Sequence, residues 1–85
     1  MKTFTYTIRD EVGIHARPAG MLVNKSKSTG SKITIEKDGK TADASKLFSV
    51  MSLGVKCGDT VTVTADGGDE EAAIKALSEF FEANL

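Results

Sequence analysis

Apolar and polar residues alternate strictly at the start of the chain. Phe4, Tyr6 and Ile8 fall on one face of an extended segment and Thr3, Thr5 and Thr7 on the other, which predicts a half-buried strand over 3–8. The period then lengthens. Ala19, Leu22, Val23 and Ser26 recur at helical spacing over 16–28. Pro18 suits the first turn, Lys25 and Lys27 the last, and Gly30 the stop. Ile33 and Ile35 alternate with Lys32, Thr34 and Glu36 in a second strand. Asp38-Gly39 is a hairpin signal, with a short return strand over 41–44. Ser45 is placed to cap a short helix carrying Leu47, Val50 and Met51 on one side, ended by Gly54. Val61, Val63 and Ala65 alternate with Thr60, Thr62 and Thr64 as a fourth strand. After the turn Gly67-Gly68-Asp69, a last helix opens on Glu70-Glu71 and runs an apolar stripe through Ala73, Ile74, Leu77, Phe80 and Phe81.

The order is β-α-β-β-α-β-α. Each strand has one apolar face and one face rich in threonine or charge, so the helices belong on a single side. The expected fold class is α+β: a four-stranded antiparallel sheet with three helices on one face and the other open to water. At 85 residues and 9.0 kDa the chain is read as one domain over 1–85. Eleven Lys and Arg stand against twelve Asp and Glu, and the pI is near 5.7, which argues against a protein built to wrap nucleic acid. One cysteine allows no intrachain disulfide, which fits a reducing, cytoplasmic setting. No signal-peptide run and no membrane span are expected.

The titratable inventory is short. His15 is the sole histidine, Cys57 the sole cysteine, and Arg9 and Arg17 the arginines. The informative segment is Gly13-Ile14-His15-Ala16-Arg17-Pro18-Ala19, which joins the first strand to the first helix. His15 is expected at the helix start, beside main-chain N–H groups without helical partners. Such a terminus attracts anions and disfavours a cationic imidazole, leaving the ring neutral and nucleophilic. Arg17 offers a bidentate fork to a phosphate or a carboxylate. A nucleophile, an anion cradle and a guanidinium make a place to carry a phosphoryl group on nitrogen. The plainer alternative is a histidine that caps a loop.

This segment resembles the active-site motif of the HPr family, the histidine-containing phosphocarriers of the bacterial phosphotransferase system. Asp38-Gly39-Lys40, Met51-Ser52-Leu53-Gly54 and the glycine and acidic residues before the last helix resemble that family at matching positions. The resemblance covers essentially the whole chain. It implies an open-faced β-sandwich and a phosphoryl group received from enzyme I onto Nδ1 of His15, with Arg17 binding the phosphate. The group then passes to the A domains of sugar-specific permeases (enzyme IIA). It further implies a docking surface of Gly20, Met21, Asn24, Lys27, Leu47, Phe48 and Met51. A phosphotransfer intermediate of this kind is not an enzyme with turnover of its own, and it needs no cofactor.

One departure stands out. Many HPr proteins open the second helix with Lys-Ser, the serine being the target of HPr kinase. Here the pair reads Ser45-Lys46, which leaves Ser45 as a displaced regulatory candidate or a plain helix cap. His15 argues against the regulatory paralogues that lack the histidine. Leu47, Val50 and Met51 read as one core-facing side of the short helix, with Phe48 outside that stripe. Cys57 reads as a turn residue, and with no second cysteine or histidine neither a zinc site nor a redox pair is supported. Glu70-Glu71 are expected in water. The lysines are scattered, with Lys27 and Lys46 placed to steer acidic partners. Two other functions compete: a regulatory binding module switched by phosphorylation, and a single-stranded nucleic-acid binder. The second needs aromatics on the open sheet face, which instead carries threonines. The expected state is a monomer, not membrane-embedded.

Overall fold

The computed structural model describes residues 1–14 and 16–85, with only the main chain of Ala16. Its elements run β1 (Lys2–Thr7), α1 (Ala16–Ser28), β2 (Lys32–Lys37), β3 (Lys40–Asp43), α2 (Leu47–Ser52), β4 (Thr60–Asp66) and α3 (Glu70–Asn84). The strands form one antiparallel sheet in the order β1-β4-β2-β3. This is the expected α+β open-faced sandwich.

Register turns the alternation into two chemically distinct faces. Phe4 pairs with Val63, Val63 with Ile35, and Ile35 with Ala42, so one row across the sheet is wholly apolar. The neighbouring row is Thr3, Thr64, Thr34 and Asp43, and it faces the other way. A slip of one residue would exchange the two faces, which is why alternation specifies register so strongly. The helices cover the apolar face. Phe81 of α3 is fully buried and meets Phe4, Tyr6 and Phe80 edge-on, with centroids 5.6, 5.4 and 6.1 Å apart. Leu22, Ile33, Val50, Val61 and Leu77 complete the centre of the core.

Asp38 and Gly39 have φ of 51° and 81°, the left-handed pair of a two-residue hairpin, and Lys37 pairs with Lys40 around them. The tight turn starts β3 at Lys40, one residue before the expected return strand.

Three expectations are corrected. Ser45 does not cap α2. Lys46 occupies the N-cap position without a side-chain cap bond, while the Ser45 hydroxyl donates to Asp43 Oδ1 at 2.6 Å. The Ser45 N–H donates to the same oxygen at 2.9 Å, so the turn leaving β3 uses Ser45 before the helix begins. Leu47 and Met51 do not face the core. They are 37% and 39% exposed, and Val50 is the buried residue of this six-residue helix. Glu70 is not simply solvated. Its carboxylate accepts from the Gly67 N–H at 2.7 Å and pairs with the Met1 amino group at 2.6 Å, while Asp69 caps α3 by accepting from the Ala72 N–H.

Candidate functional site

The segment between β1 and α1 is held from two sides. Its first half is tied to the end of α3: the N–H groups of Arg9 and Asp10 donate to the main-chain oxygen of Leu85 at 2.6 and 2.8 Å. Asp10 then makes a turn of its own. Its Oδ1 accepts from the Val12 N–H at 2.9 Å and its carbonyl from the Gly13 N–H at 3.1 Å. The second half rests on the loop between α2 and β4. The Ile14 N–H donates to the Val55 carbonyl at 3.0 Å, with both side chains buried.

That supporting loop is itself clamped. The Lys37 ammonium donates to the Gly54 carbonyl and pairs with Asp59 Oδ2, both at 2.9 Å. The Lys56 N–H donates to the same carboxylate at 2.8 Å. The Lys37 ammonium, with the Lys56 N–H, holds the Asp59 carboxyl below the usual carboxylate range. Cys57 is exposed in this turn, its sulfur 3.8 Å from the Arg9 carbonyl, as a turn residue should be.

Arg17 lies in the first turn of α1 and is exposed. With Asp10, Pro18, Met21 and Asn84 it lines a cavity of about 230 Å³. The Asn84 amide donates back to the Phe80 carbonyl at 3.0 Å, so α3 contributes a rigid wall. Arg9, the other guanidinium, is engaged elsewhere. Its Nε donates to the Tyr6 hydroxyl at 3.1 Å and Nη2 to the Glu82 carbonyl at 3.3 Å, with the ring centroid 5.6 Å away. Of the two arginines, Arg17 is the one that lines this cavity.

His15 lies outside the described residues. Its expected position at the helix start and the state of its ring are readings of the sequence. Among the described residues, the structure brings together Arg17, Met21 and, unforeseen, Asp10 and Asn84. Asp10 had a signal in the sequence, since an Asp three residues before a Gly favours a turn. Asn84 had none. Its place depends on where α3 ends against β1 and α1.

Of the expected docking residues, Met21, Asn24, Lys27, Leu47, Phe48 and Met51 are exposed and Gly20 is half-buried. Phe48 stands 82% exposed, a large apolar ring left in water. Helix α1 packs against α2, so Met21 and the apolar side chains of α2 belong to neighbouring elements. Ser45 is half-buried and committed to Asp43. Among the described residues, no group of three or more His, Cys, Asp or Glu is placed to hold a metal ion, and no helix is long and apolar enough to cross a membrane.

An exposed arginine in the first turn of a helix, lining a small cavity on an open-faced sandwich, has the chemistry to meet an anion at the surface of a small domain. Comparison with known proteins narrows that class. The family model for the phosphorylation site of the HPr component of the phosphotransferase system matches residues 2–83. A phosphocarrier protein HPr of Mycoplasma genitalium is 38% identical over 85 residues, spanning 99% of this chain and 97% of its own. A structure of HPr from Thermoanaerobacter tengcongensis superposes with a TM-score of 0.93 at 43% identity, covering 98% of this chain and 93% of that one. An HPr dimer from the same organism matches at 0.77 and 43% identity, covering 98% and 95%. The chain belongs to the HPr family, the phosphocarriers of the phosphotransferase system.

Proposed function

We propose that this phosphocarrier accepts a phosphoryl group that originates in phosphoenolpyruvate. Enzyme I delivers it to Nδ1 of His15, and the carrier hands it to the enzyme IIA domains of sugar-specific permeases. The observation that carries this reading is Arg17. It is an exposed guanidinium two residues after His15 in sequence, over an open cavity, in a chain of the HPr family. In the loading step the Nδ1 lone pair forms the N–P bond while the pair of the donor's bond to phosphorus leaves with the donor. The onward step is the reverse with a new acceptor. Neither step consumes water or changes an oxidation state. Arg17 offsets the phosphoryl charge by charge-assisted hydrogen bonding.

Docking is assigned to the exposed apolar side chains Met21, Leu47, Phe48 and Met51, with Gly20, Asn24 and Lys27 beside them. An exposed apolar patch near a reactive residue suits a surface that meets several partners in turn. The proposed carrier works in the cytoplasm as one domain over 1–85. It is read as a monomer, because α3 closes the apolar face of its own sheet. The dimeric relative makes light scattering the direct check of that reading.

The test is incubation with enzyme I and phosphoenolpyruvate, followed by intact-mass measurement at neutral pH. One phosphoryl group should appear, labile to acid and stable to base, as phosphoramidates are. His15→Ala should take none. A His15→Ala chain that still loads would remove the site assignment.

A further inference from the structure

The loop between α2 and β4 touches the segment after β1 at both ends. At the near end the Ile8 N–H donates to the Asp59 carbonyl and the Gly58 N–H to the Ile8 carbonyl, both at 2.8 Å. At the far end the Ile14 N–H donates to the Val55 carbonyl at 3.0 Å, and Gly13 lies so close to Val55 and Lys56 that no Cβ fits between. Residues 8–14 therefore take their course from residues 55–59. That loop has little to fix it by itself. Val55 is buried, but Lys56, Cys57 and Gly58 are exposed, and Gly54 and Gly58 both have positive φ. What spans it is Lys37. Its ammonium reaches the Gly54 carbonyl and Asp59 Oδ2, both at 2.9 Å, while the Lys56 N–H donates to the same carboxylate.

We propose that Lys37 is a positioning residue for the segment 8–14: by joining Gly54 to Asp59 it fixes the loop that holds Ile8 and Ile14, and so ties the order of that segment to one ion pair. The coupling is long-range, because β2, which carries Lys37, is not a neighbour of β1 in the sheet. Lys37 is the last residue of β2, on the helix-covered face with Ile33 and Ile35, and the tight turn at Asp38-Gly39 fixes the strand end that aims it. Its side chain is 17% exposed. An ordinary surface pair gains little, since two long side chains must be ordered for one contact in water. Here each partner already holds a second main-chain group, so the geometry is set from both sides. The other support of the segment is separate. Arg9 and Asp10 hang by their N–H groups from the Leu85 oxygen at the end of α3.

The readout is amide hydrogen exchange of the full chain, followed residue by residue by NMR under native conditions. Lys37→Met keeps the stem and removes the ammonium. It should speed exchange at Ile8, Gly58 and Ile14 together by about fivefold, as local opening of a loop that has lost a well-held ion pair. The N–H groups of Arg9 and Asp10 should exchange at the wild-type rate, because the end of α3 still holds them. Asp59→Asn should give a smaller rise at the same three amides, since the bond from Lys37 to the Gly54 carbonyl remains. Lys37→Arg, a cation able to donate to both oxygens, should restore wild-type exchange. Unchanged exchange at Ile14 in either Lys37→Met or Asp59→Asn overturns the proposal. So does a rise shared equally by Arg9 and Asp10, which marks a general loss of stability, or a Lys37→Arg chain that exchanges as fast as Lys37→Met.

Discussion

The Ile14 N–H donates to the Val55 carbonyl at 3.0 Å, and Gly13 is what lets the two strands of chain come that close. Gly13 has φ of +80°, and a Cβ there would overlap the Val55 carbonyl oxygen and stand 2.6 Å from Lys56 Cα. Both obstacles are main chain and cannot rotate away. Gly13→Ala should therefore cost roughly 2 kcal/mol or more in urea unfolding and slow loading by enzyme I. Gly20→Ala is the control. Its added methyl meets nothing within 4 Å, so it should be neutral or add up to ~1 kcal/mol. Equal losses at both positions would show that the close approach at Val55 is not what matters.

Arg17→Ala should leave the circular dichroism spectrum intact, because the side chain is exposed and belongs to no core cluster. Transfer should slow in both directions by the worth of a charge-assisted hydrogen bond, ~1.5–3 kcal/mol. Rapid-quench rates equal to wild type would take Arg17 out of the site.

Ser45 is only a displaced candidate for the regulatory acceptor, and its hydroxyl is already bonded to Asp43 at 2.6 Å. That bond, followed by the Ser45 N–H, holds the Asp43 carboxyl below the usual carboxylate range. A kinase would have to break it and place a dianion beside a carboxylate, one residue away from the family's acceptor position at Lys46. Ser45 should accordingly be a poor substrate for HPr kinase with ATP. The double variant Ser45→Lys, Lys46→Ser restores the Lys-Ser order and should be a good one. Efficient labelling of the wild-type chain at Ser45 by ATP would refute this.

Ser26 is 2% exposed on the core side of α1, and its hydroxyl has no hydrogen-bond partner among the described residues. A buried hydroxyl without a partner loses its water and gains nothing in return. Ser26→Ala also favours the helix, so it should add about 1 kcal/mol and raise Tm by ~4–8 °C. A lowered Tm in calorimetry would mean that the hydroxyl is satisfied in solution.

Acid should weaken the fold through three identified carboxylates. Asp43, Asp59 and Glu70 are held below the ordinary range chiefly by the Ser45 hydroxyl, the Lys37 ammonium and the Met1 amino group. The folded state thus binds protons less readily than the unfolded chain. Their contribution is complete above the unfolded carboxylate values, near pH 4, and is lost as pH falls through the lower folded values. Thermal melts should be level near neutrality and fall below about pH 4. Asp59→Asn should lower Tm near neutrality and flatten part of the acid limb. An acid limb identical to wild type would exclude Asp59 from it.

By itself the sequence determined the elements and the two-faced sheet. The alternation of Phe4-Thr5-Tyr6, Ile33-Thr34-Ile35 and Val61-Thr62-Val63 permits only one burial pattern, and Asp38-Gly39 permits only one tight turn between β2 and β3. The family resemblance of the segment around His15 and Arg17 was also legible, because its residue types and spacing are local properties. Tertiary structure alone decided the rest. Whether Leu47 and Met51 face the core depends on how much of a six-residue helix its neighbours cover, and they cover only the side of Val50. Whether Ser45 caps a helix depends on Asp43 reaching its hydroxyl first. Asp10 and Asn84 share a cavity with Arg17 because Leu85 is bound to Arg9 and Asp10 in the segment after β1, which ties the end of α3 to the loop before α1. Periodicity reports which side of an element is buried. It carries no information on which distant residues complete a surface, since that follows from packing between elements that the pattern describes one at a time.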